Sequence, residues 1–354
     1  MSISDKLLKS AAAGGLTPSE NFNTLLYDGN NSSQSITGLG FQPDLLWIKQ
    51  RHGTNPHGLW DSTRGAGKLL VVNTTAAETG NAGDFVGSFD EDGFEVNRNY
   101  LTYTTHDTTN YGIGDAKKYV AWAWKVDGGN TSSNTDGTIT STVQVNADAG
   151  ISIVEYTANA TSGATIGHGL GVEPDLVIVK STNLTVESWN TYVKDITDSD
   201  SEFFTLNTSD DIGNTANPRF IVDSFSSTVF SVGDDNSTNG ANGTDEYIAY
   251  CFVSVAGYSK ISSYAGTGSS NAITGLGFQP DWVLIKEIEA TDSWELFDSV
   301  RGDDKVLYPN GSNAEGTTSN FTSFDTDGFT VSSATTVNES GRNYIYMAFK
   351  INTE

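Results

Sequence analysis

Few side chains in this chain have reactive chemistry, and their spacing decides how each is read. Cys251 is the single cysteine, so no intrachain disulfide is available and its one chemical use would be as a nucleophile. It stands in Tyr247-Ile-Ala-Tyr-Cys-Phe252 where two sister segments carry Ala123 and Ala348. That is a small core slot, in which a thiol is inert. The four histidines (52, 57, 106 and 168) lack the H-x-x-x-H or H-E-x-x-H spacing of a metal pair. Asp90-Glu-Asp-Gly93 and Asp325-Thr-Asp-Gly328 begin like a calcium loop, but the later ligands and the closing Glu are missing. Asp-Gly is also the usual hairpin dipeptide, so these are read as turns, with a shared cation site as the alternative.

Asp61-Ser-Thr-Arg-Gly65 and Asp298-Ser-Val-Arg-Gly302 place Arg three residues after Asp, a pairing that fixes the shape of a turn. Arg301-Gly-Asp303 spells an adhesion tripeptide. The sister segment reads Arg64-Gly-Ala66, so that aspartate is incidental. Trp47, Trp122, Trp124 and Trp282 lie in strand-like stretches and are assigned to core. Trp60 and Trp294 flank the Asp-Ser-x-Arg-Gly turns and are the better candidates for exposed ligand contacts at module rims. No carboxylate pair, Ser/His/Asp set or phosphate loop recurs. We therefore expect no enzyme, no catalytic residue, no cofactor and no metal. A glycan-degrading enzyme, which would need paired Asp or Glu in a cleft, is the remote alternative.

The elements that position these residues are repeated. Ile36-Thr-Gly-Leu-Gly-Phe-Gln-Pro-Asp44, continuing to Lys49, returns as Ile273-Thr-Gly-Leu-Gly-Phe-Gln-Pro-Asp281, continuing to Lys286. A worn copy runs from Ile166 through Gly169-Leu-Gly-Val-Glu-Pro-Asp175 to Lys180. The period is near 100 residues, too long for a solenoid and suited to a small domain. Short apolar strands with turn signals every 8–12 residues predict a β-sandwich. The expected fold class is all-β: three tandem sandwiches, at 22–126, 150–255 and 258–354. Residues 127–149, rich in Gly, Ser and Asn, are expected to be a linker with a possible strand at 138–146. Ala256-Gly257 is the second linker. Modules two and three should then sit close together, and modules one and two more loosely. Residues 1–21 read as a short helical or extended anchor, with Ile3, Leu7 and Leu8 at helical spacing and available to dock into a neighbouring subunit.

Composition narrows the function. The 354 residues carry a net charge of −25, from 19 Lys and Arg against 44 Asp and Glu. Nucleic acid and anionic membrane are unsuited as partners. No apolar run approaches the length of a membrane-spanning helix, and Lys9 interrupts the N-terminal apolar run before a signal-peptide core forms.

The combined motifs resemble a known module. Gly-Leu-Gly-Phe-Gln-Pro-Asp, Asp-Ser-x-Arg-Gly, Ala-Glu (77–78 and 314–315), Ser-Phe-Asp-x-Asp-Gly-Phe (88–94 and 323–329) and Tyr119-Val-Ala-Trp-Ala-Trp-Lys125 are similar to the repeated domain of virion proteins in marine tailed bacteriophages, including those of cyanobacteria. The opening Met-Ser-Ile-Ser-Asp-Lys-Leu-Leu also resembles the start of those proteins. The resemblance implies a lectin-like jelly roll of concanavalin type and a structural role outside the particle, and it implies no catalytic residue. Module two departs from the pattern at the Asp-Ser-x-Arg-Gly and Asp-Gly turns. The expectation is a non-enzymatic virion protein, mounted on the capsid as decoration or cement. The alternative is a tail-associated, fibre-like protein binding a host surface glycan or receptor. The expected partners are other virion proteins and further copies of the chain as a homo-oligomer, since virion positions come in symmetric sets.

Overall fold

Leu45–Gln50 and Lys118–Trp124 are runs of apolar residues with little polar alternation, the pattern of strands covered on both faces. Every residue of the first run is buried, and every residue of the second except Lys118. The architecture explains what covers the second face. The structure, a computed structural model, describes residues 15–30, 32–81, 84–97, 117–240 and 242–351. The anchor candidates Ile3, Leu7 and Leu8 lie outside these. Leu16 packs on the core described below, and Pro18–Glu20 form one 3-10 turn.

The chain is nearly all-β. The first repeat holds β1 (Phe22–Asp28), β2 (Gln34–Thr37), β3 (Leu45–Gln50), β4 (Gly58–Asp61), β5 (Leu70–Val71), β6 (Val86–Asp90), β7 (Gly93–Val96) and β8 (Lys118–Trp124). The second holds β9 (Ser132–Asn134), β10 (Ser141–Asn146), β11 (Ile151–Thr157), β12 (Ala164–Gly167), β13 (Leu176–Ser181), β14 (Asn190–Val193), β15 (Glu202–Thr205), β16 (Gly213–Asn214), β17 (Val229–Val232), α1 (Asn236–Asn239) and β18 (Glu246–Phe252). The third holds β19 (Ser259–Ala265), β20 (Asn271–Thr274), β21 (Trp282–Glu287), β22 (Glu295–Asp298), β23 (Gly302–Leu307), β24 (Gly316–Thr317), β25 (Phe321–Asp325), β26 (Gly328–Val331), α2 (Thr335–Asn338) and β27 (Asn343–Phe349).

Each repeat builds one large antiparallel sheet with the same central order: β1-β8-β3-β4-β5, β11-β18-β13-β14-β15 and β19-β27-β21-β22-β23. A small sheet lies across one face of each: β2-β7-β6, β12-β17 and β20-β26-β25. Between the two sheets sits a core private to that repeat, formed in the first by residues such as Ile36, Leu46, Trp60, Phe94 and Tyr119. The other repeats have their own private cores.

The other face of each large sheet is covered by the other repeats. One hydrophobic cluster joins Trp47, Trp122 and Trp124 of the first repeat to Ile153, Trp189 and Phe252 of the second and to Trp282, Trp294 and Phe349 of the third. Two expectations change here. Trp47, Trp122, Trp124 and Trp282 are core residues, but of this shared core and not of a sandwich interior. The first two repeats are also not loosely tethered. Residues 127–149 supply β9 and β10, which extend the second repeat's sheet beyond β11. The start of that segment is pinned by Asp44, whose carboxylate accepts from the backbone N–H groups of Val126, Gly128 and Gly129 at 2.6, 3.0 and 2.9 Å.

Candidate functional site: the junctions between repeats

Trp124, Phe252 and Phe349 occupy the same register position on β8, β18 and β27, opposite Leu45, Leu176 and Trp282. Their ring centroids are 6.5, 5.7 and 6.2 Å apart for the pairs 124–252, 124–349 and 252–349, all edge-on. Mutual contact of three equivalent residues places a pseudo-threefold axis between them.

Around this axis the contacts run head to tail. Equivalent backbone bonds join Glu78 N–H to the Thr182 carbonyl at 2.7 Å, Ile212 to Ile288 at 2.8 Å and Glu315 to Arg51 at 2.7 Å. These link repeats one to two, two to three and three to one. A second set crosses nearby. Trp189 Nε1 donates to the Val71 carbonyl at 3.2 Å, and Trp294 Nε1 to the Thr205 carbonyl at 3.1 Å. His57 takes the same register position on the first repeat and points at the Tyr308 carbonyl without closing a full hydrogen bond. Head-to-tail contacts that return to their start make a closed ring; here the ring lies within one chain.

The recurring charged motifs sit in these junctions. Arg64 donates to Asp61 at 2.6 Å and to Glu78 at 3.0 Å, and Tyr250 of the second repeat donates to Asp61 at 2.7 Å. In the third repeat Arg301 pairs with Asp298 and Glu315, and Trp122 of the first repeat donates to Asp298 at 3.0 Å. Arg51 closes that set with two 2.8 Å bonds to Glu315. The Arg64 and Arg301 side chains are almost wholly buried. In the second repeat the aspartate position is Val193, the glutamate position is Ile212, and the incoming residue equivalent to Trp122 and Tyr250 is Met347. Two junctions are thus ionic and one is apolar.

Other sequence expectations resolve as follows. Trp60 and Trp294 are not exposed: they are 0 % and 2 % accessible. Alternation along a strand sends them to opposite faces. Trp60, paired with Leu46, enters the first repeat's private core, and Trp294 enters the second–third junction against Phe204. Neither is placed to contact a ligand. The Asp-Gly turns are latches. Asp92 accepts from Gly38 and Gly40 N–H at 3.1 and 2.7 Å, and Asp327 from Gly275 and Gly277 at 3.0 and 2.7 Å. Those glycines have positive φ, which lets the backbone fold round the carboxylate. Among the described residues no group of His, Cys, Asp and Glu is placed to hold a metal ion. Cys251 is fully buried, and burial pushes its thiol up to about 12.

The role of one recurring residue was missed. Lys49, Lys180 and Lys286 end the organising motif and are buried. Lys49 bonds the carbonyls of Gln50 at 2.8 Å and, across the junction, Ser312 at 3.3 Å; Lys180 likewise bonds Ser181 at 2.7 Å and Thr75 at 3.5 Å. Burial lowers the Lys49 ammonium to about 7 and those of Lys180 and Lys286 to about 8.

The first–second junction also has an open cleft of about 380 Å³. One wall is Arg64, Lys68 and Glu78; the other is Glu155, Thr157 and Glu246, extended by Thr140–Thr142 of the former linker. Burial, and then the like charge of Asp61, raises the Glu155 carboxyl above the ordinary range. Sequence reading missed this site because it has no counterpart in the other repeats. Glu155, Thr157 and Glu246 align with Leu26, Asp28 and Lys118 in the first repeat and with Ser263, Ala265 and Asn343 in the third.

A family profile described as a domain of unknown function, DUF7483, matches residues 17–352, and the chain belongs to this family. The match covers all three repeats, so the family's unit is the whole ring. No curated protein and no solved structure matches the chain.

Proposed function

We propose that this DUF7483 protein is a non-enzymatic structural component on the exterior of a tailed-phage particle, mounted on the capsid as a decoration or cement protein. The observation that supports this reading is the fate of the recurring motifs. Asp-Ser-x-Arg-Gly, Ala-Glu and the closing-strand tryptophans all face the junctions, where they lock three repeats into one body. Residues reused two or three times with no outward constellation describe a scaffold rather than a catalyst. We read each repeat as a jelly-roll-like sandwich. The ring supplies within one chain the symmetry that a homotrimer would supply from three. It offers loops repeated three times to a shell position where subunits meet in threes. The net charge of −25 keeps such a body soluble and repels like-charged neighbours. Ile3, Leu7 and Leu8 are the proposed shell anchor.

Immunogold electron microscopy of intact particles, with antibody to the third repeat, tests this. Gold over the whole head is expected. Gold confined to the tail replaces decoration with the fibre-like role, and gold on no particle overturns the virion assignment.

A further inference from the structure

The apolar second–third junction carries one ionisable feature at its rim, and it differs from its counterparts. Gln50, Ser181 and Glu287 hold the same register position at the ends of β3, β13 and β21. In the first repeat Asn55 Nδ2 donates to Gln50 Oε1 at 3.2 Å, and in the second Ser181 Oγ donates to Asn183 at 3.4 Å. Both contacts are neutral and tie the strand end to the loop after it. The third repeat has Glu287 and, in the place of Asn55, Asp292. Glu287 is 0 % accessible, and neither carboxylate oxygen is met by an N–H or O–H donor among the described residues. Arg342 Nε stands 3.6 Å from Oε1, too far for a hydrogen bond, and also faces Glu339 at 3.7 Å. Asp292 lies within hydrogen-bond reach, and two carboxyl groups can meet there only if one holds a proton.

The other charged and titratable groups nearby have partners of their own. The Lys286 ammonium turns to the Glu287 and Ala290 carbonyls at 2.6 and 3.2 Å, and Asp210 and Asp211 of the second repeat face that ammonium. Glu289 is taken by Asn343 at 2.6 Å, and Glu295 by Asn320 at 3.0 Å. Tyr344, the cross-strand partner of Glu287, donates to the Thr335 carbonyl at 2.7 Å.

We propose that Glu287 and Asp292 form a proton-operated latch on the loop 288–293, closed while Glu287 donates a proton to Asp292 and open once that proton leaves. Its loss sets two negative charges in contact, one of them buried, which is costly. Asp292, on the partly exposed loop, is the partner free to move. The loop begins at Ile288, whose carbonyl accepts from Ile212 across the junction at 2.8 Å. Opening the latch therefore loosens the second–third junction, whereas the neutral contacts of Gln50 and Ser181 persist. Burial, and then the hydrogen bond with Asp292, raises the Glu287 carboxyl to about 7. The folded chain thus keeps a proton that the unfolded chain gives up near the ordinary 4.5. Stability from the latch is full below about 4.5 and is lost as the pH rises to about 7. The inference does not depend on where the protein is mounted.

Amide hydrogen exchange of the full chain at pH 5.5 and pH 8, corrected for the intrinsic rate at each pH, tests it. The loop 51–56 is the internal control, since it carries an equivalent buried lysine, Lys49, beside a neutral pair. At pH 8, residues 288–293 and the facing 210–214 should lose about tenfold or more protection beyond any change in the control. Glu287→Gln copies the first repeat and should keep 288–293 protected at both pH values. It should raise the melting temperature at pH 8 and leave it nearly unchanged at pH 5.5. Buried His57 and His168 lower stability towards acid in variant and wild type alike, so this difference isolates the latch. If Glu287→Gln does not fold, Asp292→Asn, which copies Asn55, carries the same test. The proposal is overturned if the two loops respond alike or if the variant shifts the melting temperature equally at both pH values. It is also overturned if EDTA abolishes the wild-type response, which would put a metal ion between the carboxylates in place of a proton.

Discussion

The third repeat's rim and the second repeat's rim occupy equivalent places in the ring and are held by opposite chemistry. At the first, Asp298, Arg301 and Glu315 meet Arg51 and Trp122. At the second, Val193 and Ile212 meet Met347 and Ile288 within the shared apolar core. The backbone contact is the same, at 2.7 and 2.8 Å. Geometry is therefore set by the strands, and side-chain chemistry is free to change if every member changes together. A lone switch would leave a charge buried without a partner. This accounts for the second repeat's departure from the motif on both sides of the junction.

The contrast breaks most sharply at Asp298. Asp298→Ala leaves the buried Arg301 guanidinium with only the longer carboxylate contact to Glu315, at 3.4 Å, and should cost about 3–5 kcal/mol in urea unfolding. Val193→Ala, its counterpart, should cost about 2 kcal/mol through lost apolar contact alone. Equal losses would contradict the distinction. Grafting sharpens it. Val193→Asp alone buries a carboxylate opposite Met347 and should cost about 3 kcal/mol or more. Adding Ile196→Arg, three residues on as in the other repeats, and Ile212→Glu rebuilds the ionic set, and the triple variant should regain at least about half of the loss; no recovery would mean that the two chemistries are not interchangeable.

Acid should act on the ionic side of the ring. His57 sits where the other repeats carry Trp189 and Trp294, and burial, then Lys49 and Arg301, hold its imidazole well below the usual range. The unfolded chain takes up that proton first, so stability falls as pH drops below about 6.5. His168 lies in the second repeat, away from the junctions, and is lowered mainly by burial to about 4. It adds a similar slope, worth about 3 kcal/mol at most. His168→Gln should remove its share of the difference between urea midpoints at pH 7 and pH 4.5, while the slope due to His57 persists. The smallest effect is expected at Lys68, whose bond to Glu78 is 2.8 Å long but whose side chain is 43 % exposed. Lys68→Ala should change stability by less than about 1 kcal/mol.

Much of this organisation was legible in the residues. The three copies, the strand pattern and the small core slot at Cys251 follow from self-similarity and periodicity. The Asp-to-Arg pairing within the turn was legible too, but not what lay across from it, because a junction partner such as Trp122 stands 176 positions away in the chain. Trp60 and Trp294 were misread as rim residues because a turn nearby suggests exposure, whereas strand register sends one inward and the other to the junction. One signal of the ring was present and passed over. A sandwich with one wet face alternates polar and apolar residues; Tyr119-Val-Ala-Trp-Ala-Trp124 does not, which requires cover on both faces. The cleft was the least legible feature, since Glu155 and Glu246 belong to no repeated motif.

Differential scanning calorimetry of the full chain, with tryptophan fluorescence as a second probe, tests the shared core most directly. The account predicts one cooperative transition with coincident midpoints by both probes, and the same single transition, shifted down, for Asp298→Ala. Separate transitions for the three repeats, or an Asp298→Ala variant that melts one repeat and leaves the others at the wild-type midpoint, would contradict it.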